Sequence, residues 1–244
     1  MNLLETIALN LRSASSIAVL TGAGVSTASG IPDFRSSEGL WSEDQTREYY
    51  MSSHYFSYNP EDFWKKYKAI FRIKLLKNYH PNKVHHFLQE LESDERDVSI
   101  ITQNVDGLHE KAGSSQIVEY HGTLNHASCP KCGKKFSLDY VMNQPVPSCS
   151  HCHCVLKPDV VLFGDLITAH EEAEKMITQA DFLLVLGTSL LVTPFSLLAE
   201  QACRHPALST AIINNEPTGK DHLFDYVVHQ DLSAAVDTLR ELVS

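Results

Sequence analysis

The chain has 244 residues, enough for one large domain or for a large and a small one. Its apolar and charged fractions, 43% and 20%, are those of an ordinary globular protein. Its 20 basic and 30 acidic residues give a net charge of −10, which argues against direct nucleic-acid binding because phosphate recognition needs a basic surface. The same charge suits basic partners such as lysine-rich tails, and it suits plain solubility equally.

The first predicted element is an amphipathic helix. Leu3, Leu4, Ile7 and Leu11 recur at helical spacing, and the acidic Glu5 stands where a signal peptide would be basic. We therefore expect a helix that packs on the core, and no export signal.

Strands and helices alternate along most of the chain. Apolar residues recur at helical spacing in the stretches PNKVHHFLQELES, TAHEEAEKMITQA and DLSAAVDTLRELVS. Such alternation predicts an α/β fold with a doubly wound, Rossmann-like parallel sheet, whose ligands bind where the strands end. Apolar runs that end in small or polar residues predict the strands, in SSIAVLTGAG, VSIITQNVDG, IVEYHG, DVVLFGD, ADFLLVLGTS and STAIINNEP.

An uncharged run of 18 residues, Phe182 to Ala199, is long enough to suggest a membrane span. Polar residues and a proline interrupt it, so we expect a strand, a polar turn and a helix instead, and no membrane contact. The interrupting residues are Gly187, Thr188, Ser189, Thr193, Pro194 and Ser196.

Two segments depart from the alternation, and we expect them to form a smaller domain. Residues 36–80 are rich in aromatic residues at helical spacing, and residues 127–156 carry five of the six cysteines but few apolar residues. The remaining ranges, 1–35, 81–126 and 157–244, would form the Rossmann-like domain.

Two CxxC pairs, Cys129 with Cys132 and Cys149 with Cys152, have 16 residues between them. Each pair can hold an ion in a tight turn, and four thiolates complete a tetrahedral shell without an open position. We therefore expect one structural Zn²⁺ that stabilises a segment with little core of its own. Alternative ligands stand beside the second pair, namely His151, His153 and Cys154.

Three turns at strand ends offer groups for a dinucleotide. The glycines of GAG, Gly22 and Gly24, would let backbone N–H groups approach a pyrophosphate. However, Thr27 occupies the position of the third glycine in a GxGxxG motif. A tight turn with no ligand would therefore explain the two glycines equally well. The turns GTSL and INNEP add hydroxyl, amide and carboxylate groups, and the three together favour a dinucleotide site. Their polar and turn residues are Gly187, Thr188, Ser189, Asn214 and Glu216.

Two further clusters carry candidate chemistry. TQNVDGLH places Gln103, Asn104 and Asp106 at a strand end, where they suit a carboxamide such as nicotinamide, although an Asx turn that caps the next helix explains them too. His121 in EYHGTL also follows a strand, and histidine titrates near neutral pH, so it is the candidate general base.

Taken in order, the motifs resemble the sirtuins, the NAD-dependent protein lysine deacylases. The resemblance extends from about Leu3 to Leu242 and implies that NAD is consumed, that acyl-lysine proteins or peptides are substrates, and that the zinc is structural. The motifs that carry it are GAGVSTASGIPDFR, TQNVDGLH, HG at His121, both CxxC pairs, KPDVVLFGD, GTSLLVTPF and INNEP.

The resemblance also implies residue roles. His121 would be the general base, acting with Asn104, while Val105 and Asp106 would hold the nicotinamide carboxamide. The peptide would pair with the backbone of Val160, Val161, Leu162, Phe163 and Gly164. The NAD site would comprise Gly22, Ala23, Gly24, Thr27, Ile31, Asp33, Phe34, Arg35, Gln103, Asn104, Val105, Asp106, His121, Gly187, Thr188, Ser189, Asn214, Glu216, Asp231 and Leu232.

In the sirtuin reaction the acyl oxygen attacks the ribose carbon that bears nicotinamide, and nicotinamide leaves. The base then accepts a proton from the ribose hydroxyls, the acyl group passes to ADP-ribose, and free lysine is released. The resemblance makes PDFR a mobile flap over the nicotinamide pocket, with Phe34 shielding the cationic intermediate from water.

One position departs from the sirtuins that prefer acidic acyl groups. Those enzymes carry a Tyr-x-x-Arg pair, whereas this chain has Tyr67 followed by Ile70. Isoleucine cannot pair with an acyl carboxylate, so we expect weak activity on succinyl and malonyl groups and preference for acetyl or longer apolar ones. Tyr67 is either a substrate residue or part of the core, and Arg72 or Lys74 could supply the missing charge.

Other functions compete with deacetylation. Mono-ADP-ribosyl transfer would use the same NAD site, but Asn104 and His121 together favour deacylation. A redox dehydrogenase leaves PDFR and TQNVDGLH unexplained, and a silent binding module leaves the base unexplained. The lean architecture suggests a bacterial enzyme of the cytoplasm.

Overall fold

The computed structural model describes residues 2–32, 46–71, 78–92 and 96–244. Six of its nine strands form a parallel sheet in the order β3-β2-β1-β7-β8-β9, and the other three form an antiparallel sheet in the order β5-β4-β6. The strands are β1 Ser16–Thr21, β2 Asp97–Thr102, β3 Gln116–Glu119, β4 Gly122–Ser128, β5 Lys135–Ser137, β6 Lys157–Val160, β7 Phe182–Leu186, β8 Ser209–Asn214 and β9 Tyr226–His229.

Helices cover both faces of the parallel sheet, as the alternation in the sequence predicted. Val19 and Leu184 point to one hydrophobic cluster, and their neighbours Leu20 and Val185 point to another on the opposite face. The first cluster contains residues of helices Leu3–Ser13, Lys83–Glu90 and Leu232–Val243, and the second contains residues of His170–Thr178 and Phe195–Ala202.

The aromatic and cysteine-bearing segments share a third hydrophobic cluster. Phe63, Trp64 and Tyr67 pack there with apolar residues of β4 and β5. The Trp64 indole N–H donates to the Leu156 carbonyl over 2.8 Å, and Lys68 Nζ donates to the Val141 carbonyl over 2.7 Å. Both segments are therefore needed to complete one small core. Its helices are Thr46–Tyr50, Ser53–Tyr58, Pro60–Ile70 and Leu138–Met142.

Two parts of the strand pattern were not predicted correctly. DVVLFGD was expected to extend the parallel sheet, but its strand β6 pairs antiparallel with β4 and ends at Val160. The chain forms an antiparallel pair from β4 and β5, passes through helix Leu138–Met142 and the second cysteine pair, and adds β6 antiparallel to the other edge of β4. Strand β9 was not predicted at all, because it is short and only half-buried.

The uncharged run Phe182–Ala199 divides into β7, a turn, and the first part of helix Phe195–Ala202, which confirms the interpretation as strand, turn and helix. In the described ranges, no helix has the length and apolar character that a membrane crossing requires.

Candidate active site and metal centre

A cleft of about 860 Å³ lies at the carboxyl ends of β1, β2, β7 and β8. Its volume falls in the range of roughly 300–1,000 Å³ that is usual for ligand pockets. Most of the residues expected at an NAD and peptide site line it, namely Ala23, Gly24, Thr27, Gln103, Asn104, Val105, His121, Val160, Val161, Leu162, Phe163, Gly164, Gly187, Thr188, Ser189, Asn214, Glu216, Asp231 and Leu232.

The glycine turns after β1 and β7 touch each other beneath the cleft. Gly22 donates its N–H to the Leu186 carbonyl over 3.1 Å, and Gly24 donates to the Gly187 carbonyl over 2.9 Å. A Cβ atom on Gly22 would lie 2.6 Å from Thr188 Cβ. These glycines therefore permit a close approach of two loops. Their own N–H groups are engaged inside the protein, so amides other than these two must contact any phosphate.

Asn104 and Asp106 are held by a serine of the first turn. Asn104 Nδ2 donates to the Gly22 carbonyl over 3.0 Å and lies 3.1 Å from Ser26 Oγ. Ser26 Oγ in turn donates to Asp106 Oδ2 over 2.8 Å, and the other Asp106 oxygen accepts from Leu108 N–H. The Asx-turn interpretation of Asp106 is thus confirmed, and the carboxylate keeps lone pairs for a further donor. Sequence reasoning did not single out Ser26, although it is the first serine of GAGVS.

A second link joins the turn after β2 to the turn after β7. Gln103 Nε2 donates to Thr188 Oγ1 over 2.8 Å, and the same oxygen accepts from the Leu190 N–H over 3.2 Å. Hydrogen bonds therefore join the turns after β1, β2 and β7 into one network along the cleft.

His121 lies at the end of β3 on the wall of this cleft. Its Nδ1 is 3.3 Å from the Gln103 carbonyl oxygen. A carbonyl only accepts, so this bond requires the proton on Nδ1 and leaves Nε2 as the nitrogen that can take up a proton. Burial lowers the pKa of His121 below 6.5, although the backbone hydrogen bond to Gln103 acts in the opposite direction. The imidazole is therefore neutral near pH 7, as a base must be.

The segment Val160–Gly164 follows β6 along the mouth of the cleft. Val161 N–H donates to the His121 carbonyl over 2.8 Å, which ties the segment to the candidate base. Phe163 donates its N–H to the Met51 carbonyl over 3.0 Å and accepts from the Ser53 N–H over 2.9 Å. The segment is thus anchored to the turn after β3 and to residues 51–53 beside the third hydrophobic cluster.

Some expected residues do not line the cleft. Gly22, Ile31 and Asp106 are not among the lining residues, although Ala23 and Val105, the neighbours of Gly22 and Asp106, are. Tyr67 is 2% exposed and lies in the third hydrophobic cluster. The cleft is also lined by apolar residues that the sequence did not identify, among them Phe71, Val84 and Leu191. No local sequence pattern marks these positions as part of a site. Outside the described residues lie Asp33, Phe34, Arg35, Arg72 and Lys74.

The four cysteines of the two CxxC pairs come together beside the third hydrophobic cluster. All their Sγ atoms lie within 4.8 Å of one another, and Cys132 Sγ is 3.8 Å from Cys149 Sγ. A tetrahedron with Zn–S bonds of about 2.3 Å has edges of about 3.8 Å, so the set fits Zn²⁺. The N–H groups of His151 and Cys152 point to Cys149 Sγ at 3.4 and 3.3 Å, as is usual around a thiolate ligand.

The residues that crowd the second pair have backbone roles. Cys154 accepts the Cys149 N–H through its carbonyl over 2.8 Å, and its thiol lies 3.5 Å from the Cys152 carbonyl. His153 adopts a left-handed φ of 57° within this turn. In the described ranges, the metal-ligand set comprises Cys129, Cys132, Cys149 and Cys152.

Several known proteins are similar to this chain in sequence and in fold. A model of the Sir2 family matches residues 22–194. An NAD-dependent protein deacetylase of Bacillus subtilis is 46% identical, with 94% of this chain and 96% of the relative covered. NAD-dependent protein deacetylase 2 of Geobacillus kaustophilus is 43% identical over 100% of this chain and 99% of its own length.

Solved structures of Sir2 proteins have the same fold as this chain. A Sir2 protein bound to an acetylated peptide superimposes with a TM-score of 0.83 at 29% identity, covering 100% of both chains. A Sir2 complex with a p53 peptide and NAD⁺ superimposes with a TM-score of 0.81 at 31% identity, covering 99% of this chain and 97% of the other.

Proposed function

The chain belongs to the Sir2 family, the sirtuins, and from this premise we propose that it is an NAD-dependent protein lysine deacetylase. The observation that carries the proposal is the half-buried His121, whose Nδ1 bonds to the Gln103 carbonyl and which lies in one cleft with Asn104 and the paired glycine turns. We infer that its protein substrates present acyl-lysine, and a cytoplasmic location stays a prediction.

NAD fits the donor set of the cleft. Thr27, Gln103, Ser189 and Asn214 line it with hydroxyl and amide groups, and Glu216 adds a carboxylate, which together suit ribose hydroxyls and phosphates. When bound, NAD supplies the electrophilic ribose carbon and the nicotinamide leaving group, and its ADP-ribose part receives the acyl group.

The residues of the chain bind, orient and move one proton. Asp106 is half-buried next to Val105, which lines the cleft, and Ser26 and the Leu108 N–H hold its carboxylate. Its remaining lone pairs would reach the carboxamide of a nicotinamide bound beside Val105. Asn104 is fixed by Gly22 and Ser26 at the border of that pocket. After nicotinamide has left, His121 Nε2 accepts a proton from a ribose hydroxyl, while its Nδ1–H stays on the Gln103 carbonyl.

The acyl-lysine peptide would lie along Val160–Gly164. Phe163 directs both of its backbone groups to Met51 and Ser53, so an added strand would pair with the other backbone groups of this segment. Since His121 accepts a backbone hydrogen bond from Val161, pairing at this segment brings the peptide to the base.

The zinc would hold the small domain together. Its four thiolate ligands leave no position for substrate, so the metal takes no part in the reaction. The preference for acetyl over acidic acyl groups rests on Ile70, which packs against the aromatic core beside Tyr67 and carries no charge.

The test is an incubation of the purified protein with NAD and an acetyl-lysine peptide. We expect peptide-dependent nicotinamide release, a peptide lighter by one acetyl group, and loss of deacetylated peptide with His121→Ala. Nicotinamide release with a protein that gains ADP-ribose would instead identify a mono-ADP-ribosyltransferase. No nicotinamide release with any acyl peptide or protein acceptor would refute both activities.

A further inference from the structure

Tyr120, the residue before the proposed base, belongs to a hydrogen-bonded series that extends away from the cleft. Its hydroxyl oxygen lies 2.6 Å from His170 Nδ1, and His170 Nε2 lies 3.3 Å from Glu174 Oε1. His170 and Glu174 are one turn apart in helix His170–Thr178. Hydroxyl, imidazole and carboxylate thus stand in sequence directly behind the wall that carries His121.

The direction of these bonds follows from the groups themselves. A carboxylate only accepts, so Glu174 favours the His170 tautomer with its proton on Nε2, which leaves Nδ1 as the acceptor for the tyrosine. Burial raises the pKa of Tyr120 to about 12, so its hydroxyl keeps its proton and donates. Tyr120 is 1% exposed, and without His170 this hydroxyl would lose its partner in the protein interior.

The ring of Tyr120 forms part of the support of the His121 imidazole. The two rings meet edge to face, with centroids 5.3 Å apart and an interplanar angle of 75°. Tyr120 also packs edge to face on Phe195 at 5.1 Å, and Phe195 lies 6.2 Å from His121. Three rings therefore form one cluster, and His170 fixes the far end of the tyrosine in it.

We propose that Tyr120, His170 and Glu174 are positioning residues that fix the orientation of the His121 imidazole. The inference rests on the proposed role of His121 as the base. Main-chain bonds hold the backbone on both sides, since Tyr120 N–H donates to the Thr102 carbonyl and the His121 carbonyl accepts from Val161. Among the described residues, the Nδ1 bond to Gln103 and these aromatic contacts define the angle of the His121 ring.

Because the base acts only after nicotinamide has left, two assays distinguish a misplaced His121 from a general loss of folding or of NAD binding. Nicotinamide leaves before the base acts, so exchange of labelled nicotinamide into NAD in the presence of acetyl peptide does not need a well-placed His121. Formation of deacetylated peptide does. A misplaced base should therefore lower kcat for deacetylation and leave both the exchange rate and the KM for NAD unchanged.

The variants Tyr120→Phe and His170→Ala test this separation. For each we expect deacetylation to fall about tenfold, since a displacement of about 1 Å costs up to about 100-fold, while exchange stays within about twofold. The double variant should be no worse than the worse single one, because the residues act as a unit. Glu174→Gln should show a smaller loss, and Glu172→Gln, a matched exposed carboxylate on the same helix, should show none.

A second measurement needs no turnover. Histidine ring resonances of the ligand-free protein, assigned with His121→Ala, should shift for His121 in Tyr120→Phe and not in Glu172→Gln. Equal loss of exchange and deacetylation in Tyr120→Phe, or full activity with an unshifted His121 resonance, would overturn the inference alone. A wild-type protein that neither exchanges nor deacetylates would overturn the proposed function, and with it this inference.

Discussion

The contact between the two glycine turns makes a sharp prediction for Gly24→Ala. A Cβ atom at this position would lie 2.8 Å from Gly187 Cα and 2.9 Å from Gly187 O. Both are backbone atoms, so no side-chain rotation can relieve the overlap. Ordinary contact begins at 3.4 Å, and the turns after β1 and β7 must therefore separate by about 0.6 Å.

This separation affects both stability and the cleft. Overpacking of this kind costs about 1–3 kcal/mol, and each kcal/mol lowers Tm by about 2–4 °C in a chain of this size. We therefore expect Tm to fall by about 2–12 °C. Since both turns line the cleft, we also expect the Kd for NAD to rise about tenfold, because shifts approaching 1 Å at a binding site have effects of this order or larger.

Thermal unfolding and calorimetric titration with NAD measure the two effects. The matched control is Gly219→Ala, where an added Cβ would meet no atom within 4 Å. This control should keep the Tm and the Kd of the wild type. If Gly24→Ala also kept both, the glycines would not be needed for the approach of the turns, and the account of GAG as a packing motif would be wrong.

Four other predictions follow from the site and the core. Because partial burial lowers the pKa of His121, kcat/KM should rise with pH through a midpoint below 6.5 and be flat at pH 7–8. A midpoint above 7 would contradict a base that is neutral at pH 7. Burial also lowers the pKa values of His85 and His109 to about 4 and about 3. As the pH falls, these two histidines are therefore protonated in the unfolded chain before they are protonated in the folded protein. The contribution of these two histidines to the free energy of unfolding should be complete above pH 6.5, and it should fall by several kcal/mol as the pH drops to about 4. Urea unfolding measures this, and a urea midpoint that does not change between pH 6.5 and pH 4 would refute it. Cys129→Ser should lose the one bound zinc, seen by metal analysis, and at least about 3 kcal/mol of stability, whereas a stable metal-free variant would argue against a structural ion. Because Ile70 stands where an arginine would pair with an acidic acyl group, kcat/KM for an acetyl peptide should exceed that for the succinyl peptide by roughly tenfold or more. Equal values would show that Ile70 does not determine the acyl preference.

The sequence predicted those features that depend on local pattern. Buried strands such as β1 and β7 are recognisable because each is a continuous apolar run that ends in a polar turn. The zinc ligands were predictable because each CxxC pair is local, and four cysteines suffice for one tetrahedral site.

The features that were missed depend on contacts between distant segments. The direction of β6 is set by its pairing with β4, and the half-buried β9 has no strong apolar pattern. Ser26 and Asp106 are 80 residues apart, and Tyr120 and His170 are 50 apart, so neither bond has a local signal. Tyr67 lies in the third hydrophobic cluster because the aromatic residues of its helix pack there. Its spacing in the sequence could not distinguish a core position from a substrate site.

The most direct test of the central claim is the fate of the acetyl group. A peptide with ¹³C-acetyl-lysine, NAD and the protein should yield nicotinamide, deacetylated peptide and acetylated ADP-ribose in equal amounts, with the label on ADP-ribose. This stoichiometry would show that NAD is consumed as the acyl acceptor. Labelled acetate released while NAD stays intact, or NAD reduced to NADH, would contradict the account.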